Sequence, residues 1–176
     1  MIKNILIVIL FFIVTSTTFS QYTENHHYAG PTLGLSFLGS SVQFGGNYEY
    51  ALYVENFGIV GIGGIVRYWT YSENVPGFKW SYTDFLIGAQ GNYHFKIPGN
   101  DLVDTWAGLV LGYDAGSVDY VGPSGIFYVT PTYGGFFIGL QGGARYWINP
   151  QLALSGRIAF GNLSYGGLDV GVDFKF

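Results

Sequence analysis

The sequence predicts an all-β chain: an eight-stranded antiparallel up-and-down transmembrane β-barrel. Three observations carry this reading. The last nine residues alternate without a slip, with Leu168, Val170, Val172, Phe174 and Phe176 on one parity and Asp169, Gly171, Asp173 and Lys175 on the other, which is the side-chain period of a strand. The chain is 49% hydrophobic and 19% aromatic but only 10% charged, against roughly 25% charged residues in soluble domains. Beyond residue 20 no run approaches the ~18 consecutive apolar residues of a membrane helix, while the 28 glycines favour strands and turns over helix. A closed barrel with lipid outside and a polar lumen reconciles the three.

The N-terminus carries its own signal. Lys3 precedes an unbroken apolar run from Ile5 to Val14, and the small residues Thr18 and Ser20 follow. This order marks a secretory signal peptide over residues 1–20, cut after Ser20. The expected organisation is therefore a signal over 1–20, a short N-terminal segment over 21–29, and a barrel over 30–176. Export combined with a barrel places the protein in the outer membrane of a Gram-negative bacterium.

The strands follow from turn residues and parity. The first runs from Gly30 to Leu38 and ends in Gly39-Ser40-Ser41. The second, Val42 to Leu52, sets Phe44, Gly46, Tyr48 and Tyr50 against Gln43, Gly45, Asn47 and Glu49, and Glu55 to Gly58 turns the chain. The third, Ile59 to Tyr71, places Ile65 and Arg67 opposite Val66 and Tyr68; residues 72–79, with Pro76-Gly77, read as a loop. In the fourth, Trp80 to Phe95, Gln90, Asn92 and His94 form the polar row, and Asp84 interrupts the alternation near the loop end. Residues 96–104 read as a connection containing Pro98-Gly99. The fifth strand is Thr105 to Val118, and residues 119–132 form the longest loop. The sixth, Tyr133 to Trp147, leads through Asn149-Pro150 to the seventh, Leu152 to Phe160, and Gly161-Asn162 opens the last.

An even strand count brings both termini to one side. With that side periplasmic, the 119–132 loop is external, as the usual asymmetry of short inner turns and longer outer loops requires. Aromatic residues gather near the predicted strand ends, with Tyr50, Tyr93, Phe95, Trp106, Tyr146 and Phe176 at one level and Tyr68, Trp80, Tyr82 and Phe160 at the other, the two-girdle pattern of a membrane barrel.

Parity also sorts the charges. Glu49, Asp114, Asp169 and Asp173 fall on the less apolar face together with Arg67, Arg145, Arg157 and Lys175. Eight strands enclose a space only wide enough for side chains to fill, so four acids and four bases are expected to make a paired plug; a buried charge without a partner costs several kcal/mol.

The stretch Ala144-Arg145-Tyr146-Trp147-Ile148-Asn149-Pro150-Gln151-Leu152-Ala153-Leu154, followed by Leu168 through Phe176, resembles the last hairpins of small bacterial outer-membrane β-barrel domains of the OmpX/OmpW-like class. Asn92-Tyr93-His94-Phe95 and Trp106 to Tyr113 are similar to the middle strands of the same group. The resemblance implies that Phe174 and Phe176 form the C-terminal signal read by the barrel-assembly machinery. Roles across such families include envelope integrity, adhesion, passage of hydrophobic solutes and help with secretion.

Chemical motifs are sparse. The chain has no cysteine, so neither a disulfide framework nor a thiol metal site exists. There is no basic run for nucleic acid and no Gly-x-Ser-x-Gly elbow. His94 is predicted inward near a periplasmic turn, away from the outer rim where lipid A-trimming barrels resemble a His-Ser-acid site, so a hydrogen-bonded structural role is expected. His26 and His27, with Glu24, read as solvated rather than as metal ligands. Neither cofactor nor metal is expected, and the chain does not read as an enzyme. The external loop is the place to look for a partner, because Tyr120, Ile126, Phe127 and Tyr128 are more apolar than solvation alone requires. The expected function is a monomeric, filled outer-membrane barrel with a structural or surface-interaction role, in contact with outer-membrane lipids. A narrow conduit for small hydrophobic or charged solutes is the alternative, a lipid A-modifying enzyme ranks last, and a soluble lipocalin-like barrel is the competing architecture.

Overall fold

The computed structural model describes residues 22–97, 100–122, 133–163 and 165–176. The predicted signal peptide lies outside them. Eight strands, β1 (His27–Ser36), β2 (Ser41–Val54), β3 (Gly58–Val75), β4 (Phe78–Lys96), β5 (Val103–Val121), β6 (Gly134–Asn149), β7 (Leu152–Gly161) and β8 (Gly166–Lys175), follow one another round a closed antiparallel barrel in which β8 pairs with β1. A single turn of 3-10 helix, Leu38–Ser40, joins β1 to β2. Closure leaves no strand edge within the bilayer, which would not tolerate one.

The register fixes the shape. Pairing leads from His27 through Tyr50, Ile62, Gly91, Leu109, Leu140 and Phe160 to Gly166, whose carbonyl accepts from the Phe37 amide. One circuit thus advances ten residues along the chain, which for eight strands means a tilt of about 40°. At that tilt about 10 residues cross the ~25 Å apolar band of an outer membrane. The 10-residue strands β1, β7 and β8 are just long enough, whereas β3, β4 and β5 have 18, 19 and 19 residues. Because the turns on the side of the termini are short, the surplus extends β3, β4 and β5 beyond the opposite rim as a three-stranded sheet.

Two boundaries differ from expectation for a common reason. Residues 72–79 are not a loop: β3 and β4 pair down to Val75 and Phe78, leaving a tight turn with Gly77 at φ 86°. Tyr120 likewise belongs to β5, in register with Trp80. Polar residues such as Ser72, Glu73 and Asn74 look like loop because the extended sheet stands in water, where the alternation imposed by lipid lapses. The remaining connection contracts to 97–102 from the expected 96–104. At the other end β1 starts at His27, three residues before the expected Gly30.

The two faces of the wall are inverted relative to a soluble barrel. Outward residues are apolar and open, for example Leu109, Leu140 and Val170 at 53, 65 and 61% exposure, whereas Gln43, Glu49, Arg145 and Asp173 are all buried in the interior. A lipocalin-like barrel would carry its greasy residues inside, so this pattern decides for membrane insertion. Apolar clusters flank the polar centre: Ile65, Trp69, Leu86, Val110, Phe137 and Tyr165 toward the extended end, and Tyr22, Tyr28, Ala51, Trp147 and Ala153 toward the termini. Asp84 keeps its strand's inward parity after all; the apolar Leu86 beside it, buried among that first cluster, is what obscures the alternation. Trp106, placed by sequence in a girdle, is also buried in the lumen, and Trp80 and Tyr82 lie on the inner parity of the extension.

Candidate functional site

The lumen is organised around Arg145 of β6. Its Nε donates to Asp173 Oδ2 at 2.6 Å, its Nη2 to Glu49 Oε2 at 2.6 Å and its Nη1 to Asp104 Oδ2 at 3.2 Å. His94 joins the same acids, with Nε2 2.8 Å from Glu49 and Nδ1 2.9 Å from Asp104. The aromatic ring of Trp106 lies 4.6 Å from the guanidinium carbon. One side chain thus cross-braces four strands, β2, β5, β6 and the C-terminal β8, a span that the narrow interior of an eight-stranded barrel permits.

From this cluster the hydrogen bonds climb the lumen. Asn92 donates to Glu49 at 3.2 Å, Gln141 donates to Asn92 at 2.7 Å and to Gln90 at 2.9 Å, and Arg157 Nη1 donates to the side-chain oxygens of Gln141 and Gln90. Higher still, Arg67 pairs with Asp169 at 2.8 Å and donates to Asn47, while Gln43 donates to the other Asp169 oxygen at 2.6 Å. Arg157 and Asp169 are register partners, yet Asp169 is engaged by Arg67, and Arg157 is held by the amides of Gln90 and Gln141 and lies 5.8 Å from the Trp106 ring.

The expected balance of four acids and four bases is therefore corrected. Asp84 and Asp104 are also buried inside, while Lys175 is only partly buried and donates to Thr23 Oγ1 at 2.7 Å at the mouth. Asp104 escaped the reading because it fell in a presumed connection; its position two residues before Trp106, on the same parity, was the available signal. Asp114 faces the lumen near Asp84 at the extended end, and among the described residues neither Asp84 oxygen has a hydrogen-bond partner.

The mouth on the terminal side is closed by a residue the sequence did not single out. Tyr22 is 4% exposed, stacked on His94 with centroids 3.6 Å apart and rings 8° from parallel, and 4.3 Å from Tyr28. Burial, with the Glu49 carboxylate beneath, pushes its phenol above the ordinary range. The segment is anchored by Tyr28, whose hydroxyl accepts from the Thr23 amide and donates to the Thr23 carbonyl, and by bonds from Asn25 N to Ala51 O and from Ala51 N to His26 O. His26 Nδ1 lies 2.8 Å from the Glu24 carbonyl, and His27 Nδ1 lies 2.8 Å from the Tyr48 hydroxyl on the outer wall. Among the described residues no group of three or more His, Cys, Asp or Glu is placed to hold a metal ion.

Phe174 and Phe176 both point outward, at 44 and 70% exposure. The Phe176 backbone exchanges two hydrogen bonds with His27 across the β1–β8 seam. Of the expected partner-loop residues, Tyr120 stacks obliquely on Trp80 at 4.7 Å; Phe127 and Tyr128 lie outside the described residues.

Comparison with known proteins adds the scaffold. No family model matches the chain, and no curated protein matches it. Among solved structures, OprG of Pseudomonas aeruginosa aligns over 90% of this chain and 99% of its own with a TM-score of 0.64 at 10% identity. Neisserial surface protein A aligns over 86 and 96% with a TM-score of 0.52 at 21% identity, and Ail of Yersinia pestis over 88 and 100% with 0.52 at 14%. The fold is that of the small bacterial outer-membrane barrels. With its apolar belt and polar lumen, the chain has the architecture of a membrane-spanning β-barrel. At these identities the likeness speaks for architecture, and the side chains of this lumen must speak for themselves.

Proposed function

We propose that this barrel is a sealed scaffold of the cell envelope that displays the extended β3–β4–β5 sheet to a partner outside the cell, with neither a transport path nor a catalytic centre. The observation that carries the reading is the Arg145 cluster under Tyr22. Glu49, Asp104 and Asp173 converge on one guanidinium across the full width of the lumen, and an aromatic ring lies over them, so no water-filled column passes this level. An ion path requires sites that bind weakly and release; these charges are locked in pairs of 2.6 to 3.2 Å. Phe174 and Phe176 serve as the C-terminal insertion signal toward the assembly machinery, and the outward belt contacts outer-membrane lipid. Ail, on a scaffold of the same size, has been crystallised with the heparin analogue sucrose octasulfate, which supports the idea that a barrel of this architecture engages a ligand.

Purified protein in planar bilayers tests the seal: no stable single-channel conductance is expected at neutral pH, and discrete ohmic steps would refute it. Deleting residues 122–130 tests the display. Surface binding should fall while the barrel still inserts; unchanged binding would reject a partner role for that connection.

A further inference from the structure

The terminal-side mouth contains a cavity of about 600 Å³ that abuts the sealed network at Tyr22, His94 and Asp104 and crosses the rim of the wall. Its inner side is made by Tyr22, Glu24, His94 and Asp104, and its outer side by Tyr93 and Phe95, which belong to the lipid-facing row. The rim between them is notched at Gly58, which has no side chain and takes a φ of 107° at the start of β3; the Tyr93 ring lies over it. Tyr53, 61% exposed, stands at the opening.

Two properties of this cavity select a ligand. No lysine or arginine lines it among the described residues, though Lys175 reaches the Thr23 hydroxyl at its edge, while two carboxylates do. Of these, Asp104 is held by His94 and Arg145, but Glu24 is exposed and enters no ion pair among the described residues. The walls are aromatic on several sides: Tyr53 and Tyr93 line the space, and Tyr22, stacked on His94 and Tyr28, closes its inner side. Carboxylates at the rim with aromatic walls favour an organic cation, since ring faces attract ammonium groups most strongly where water is thinned. A purely polar cation would leave Tyr93, Phe95 and Ile97 with nothing to contact, whereas a hydrocarbon chain continues from the notch directly onto the lipid-facing row.

From this we infer that the mouth cavity is a binding site for an amphiphile with an alkylammonium head, the head between Glu24 and the tyrosine rings and the tail over the Gly58 notch against Tyr93 and Phe95. At the periplasmic level of the membrane this chemistry comes either from the ethanolamine headgroup of a phospholipid or from a free amphiphilic amine. The site borders the sealed lumen without entering it: it opens to the periplasm and the inner leaflet, with Tyr22 on its inner side.

The test uses the mature chain in alkyl maltoside micelles, with methyl groups of Ile59, Ile97 and Val103 followed by NMR during titration with dodecylammonium. Saturable shifts are expected at these three cavity residues and not at Ile138 or Ile158 on the belt. Glu24→Gln and Tyr53→Ala, both at exposed positions that leave the lumen intact, should each weaken binding by about threefold or more. Dodecyl sulfate should give no saturable shift. Absence of saturation, equal shifts with the sulfate, or affinities unchanged in both variants would overturn the site. In nanodiscs, cavity methyls already shifted in phosphatidylethanolamine relative to phosphatidylglycerol identify the lipid headgroup as the source, and indistinguishable discs identify the free amine.

Discussion

At the scale of the residue, Arg145 is the piece whose removal does most harm. Without it Glu49, Asp104 and Asp173 face one another in the lumen, with His94 the one remaining basic ion-pair partner among the described residues, and breaking a buried ion pair from one side costs about 3–5 kcal/mol because uncompensated charge remains. Arg145→Met should therefore lower the unfolding free energy of the barrel in lipid by that much, seen as a lower urea midpoint at unchanged m-value when unfolding is followed by the loss of heat-modifiable gel migration. A midpoint within error of the parent would mean that the cluster is decorative. Glycines give a sharper contrast. A Cβ at Gly63 would fall on the Tyr48 carbonyl of the neighbouring strand, whereas one at Gly156 meets nothing within 4 Å. Gly63→Ala should destabilise by roughly 1–3 kcal/mol, as overpacking does, and Gly156→Ala should be neutral or mildly stabilising; equal effects in the same assay would contradict the register between β2 and β3.

At the scale of the element, β8 combines two tasks in one terminal residue. The Phe176 backbone closes the seam with His27, while its ring lies exposed on the outer wall. Phe176→Ser keeps the backbone bonds and removes the ring. Such a variant should refold in detergent like the parent yet accumulate several-fold less in outer membranes of cells; equal accumulation would show that the ring carries no insertion signal. The same elements show what a sequence reveals and what it conceals. Where lipid presses on one side and the lumen on the other, as from Leu168 to Phe176, parity alone identifies the face of every residue. Where β3, β4 and β5 rise into water, neither side demands grease, so Ser72 to Asn74 and Asp119 read as loop although they pair. Inside the lumen, acids on clean alternating strands were legible, but Asp104 beside a turn and Tyr22 before the first strand were not. Their roles arise from closure of the barrel, which brings residue 22 onto residue 94 and residue 49 onto residue 145, and no local pattern encodes those distances.

At the scale of the whole molecule, the outer belt and the lumen are two halves of one arrangement. The bilayer accepts the outward rows without cost only if every charge is turned inward, and the narrow interior accepts the charges only if nearly all are paired. A prediction follows for Tyr22, the lid over the Arg145 cluster: Tyr22→Ala should leave the strands intact by circular dichroism, lower stability by about 3–5 kcal/mol through lost aromatic packing, and make His94 accessible to a water-soluble imidazole reagent. Protection of His94 equal to the parent's would show that the lid does not seal the mouth. The most direct test of the inside-out wall exploits the absence of cysteine. Single cysteines at 109, 110 and 111 sample three consecutive positions of β5, of which Leu109 and Leu111 are half exposed and Val110 is 2% exposed. In the folded, lipid-inserted protein, spin labels attached at 109 and 111 should collide freely with oxygen dissolved in the bilayer, while the cysteine at 110 should resist labelling until the barrel is unfolded. Equal reactivity and equal oxygen exposure at all three positions, or a reversed pattern, would contradict the account.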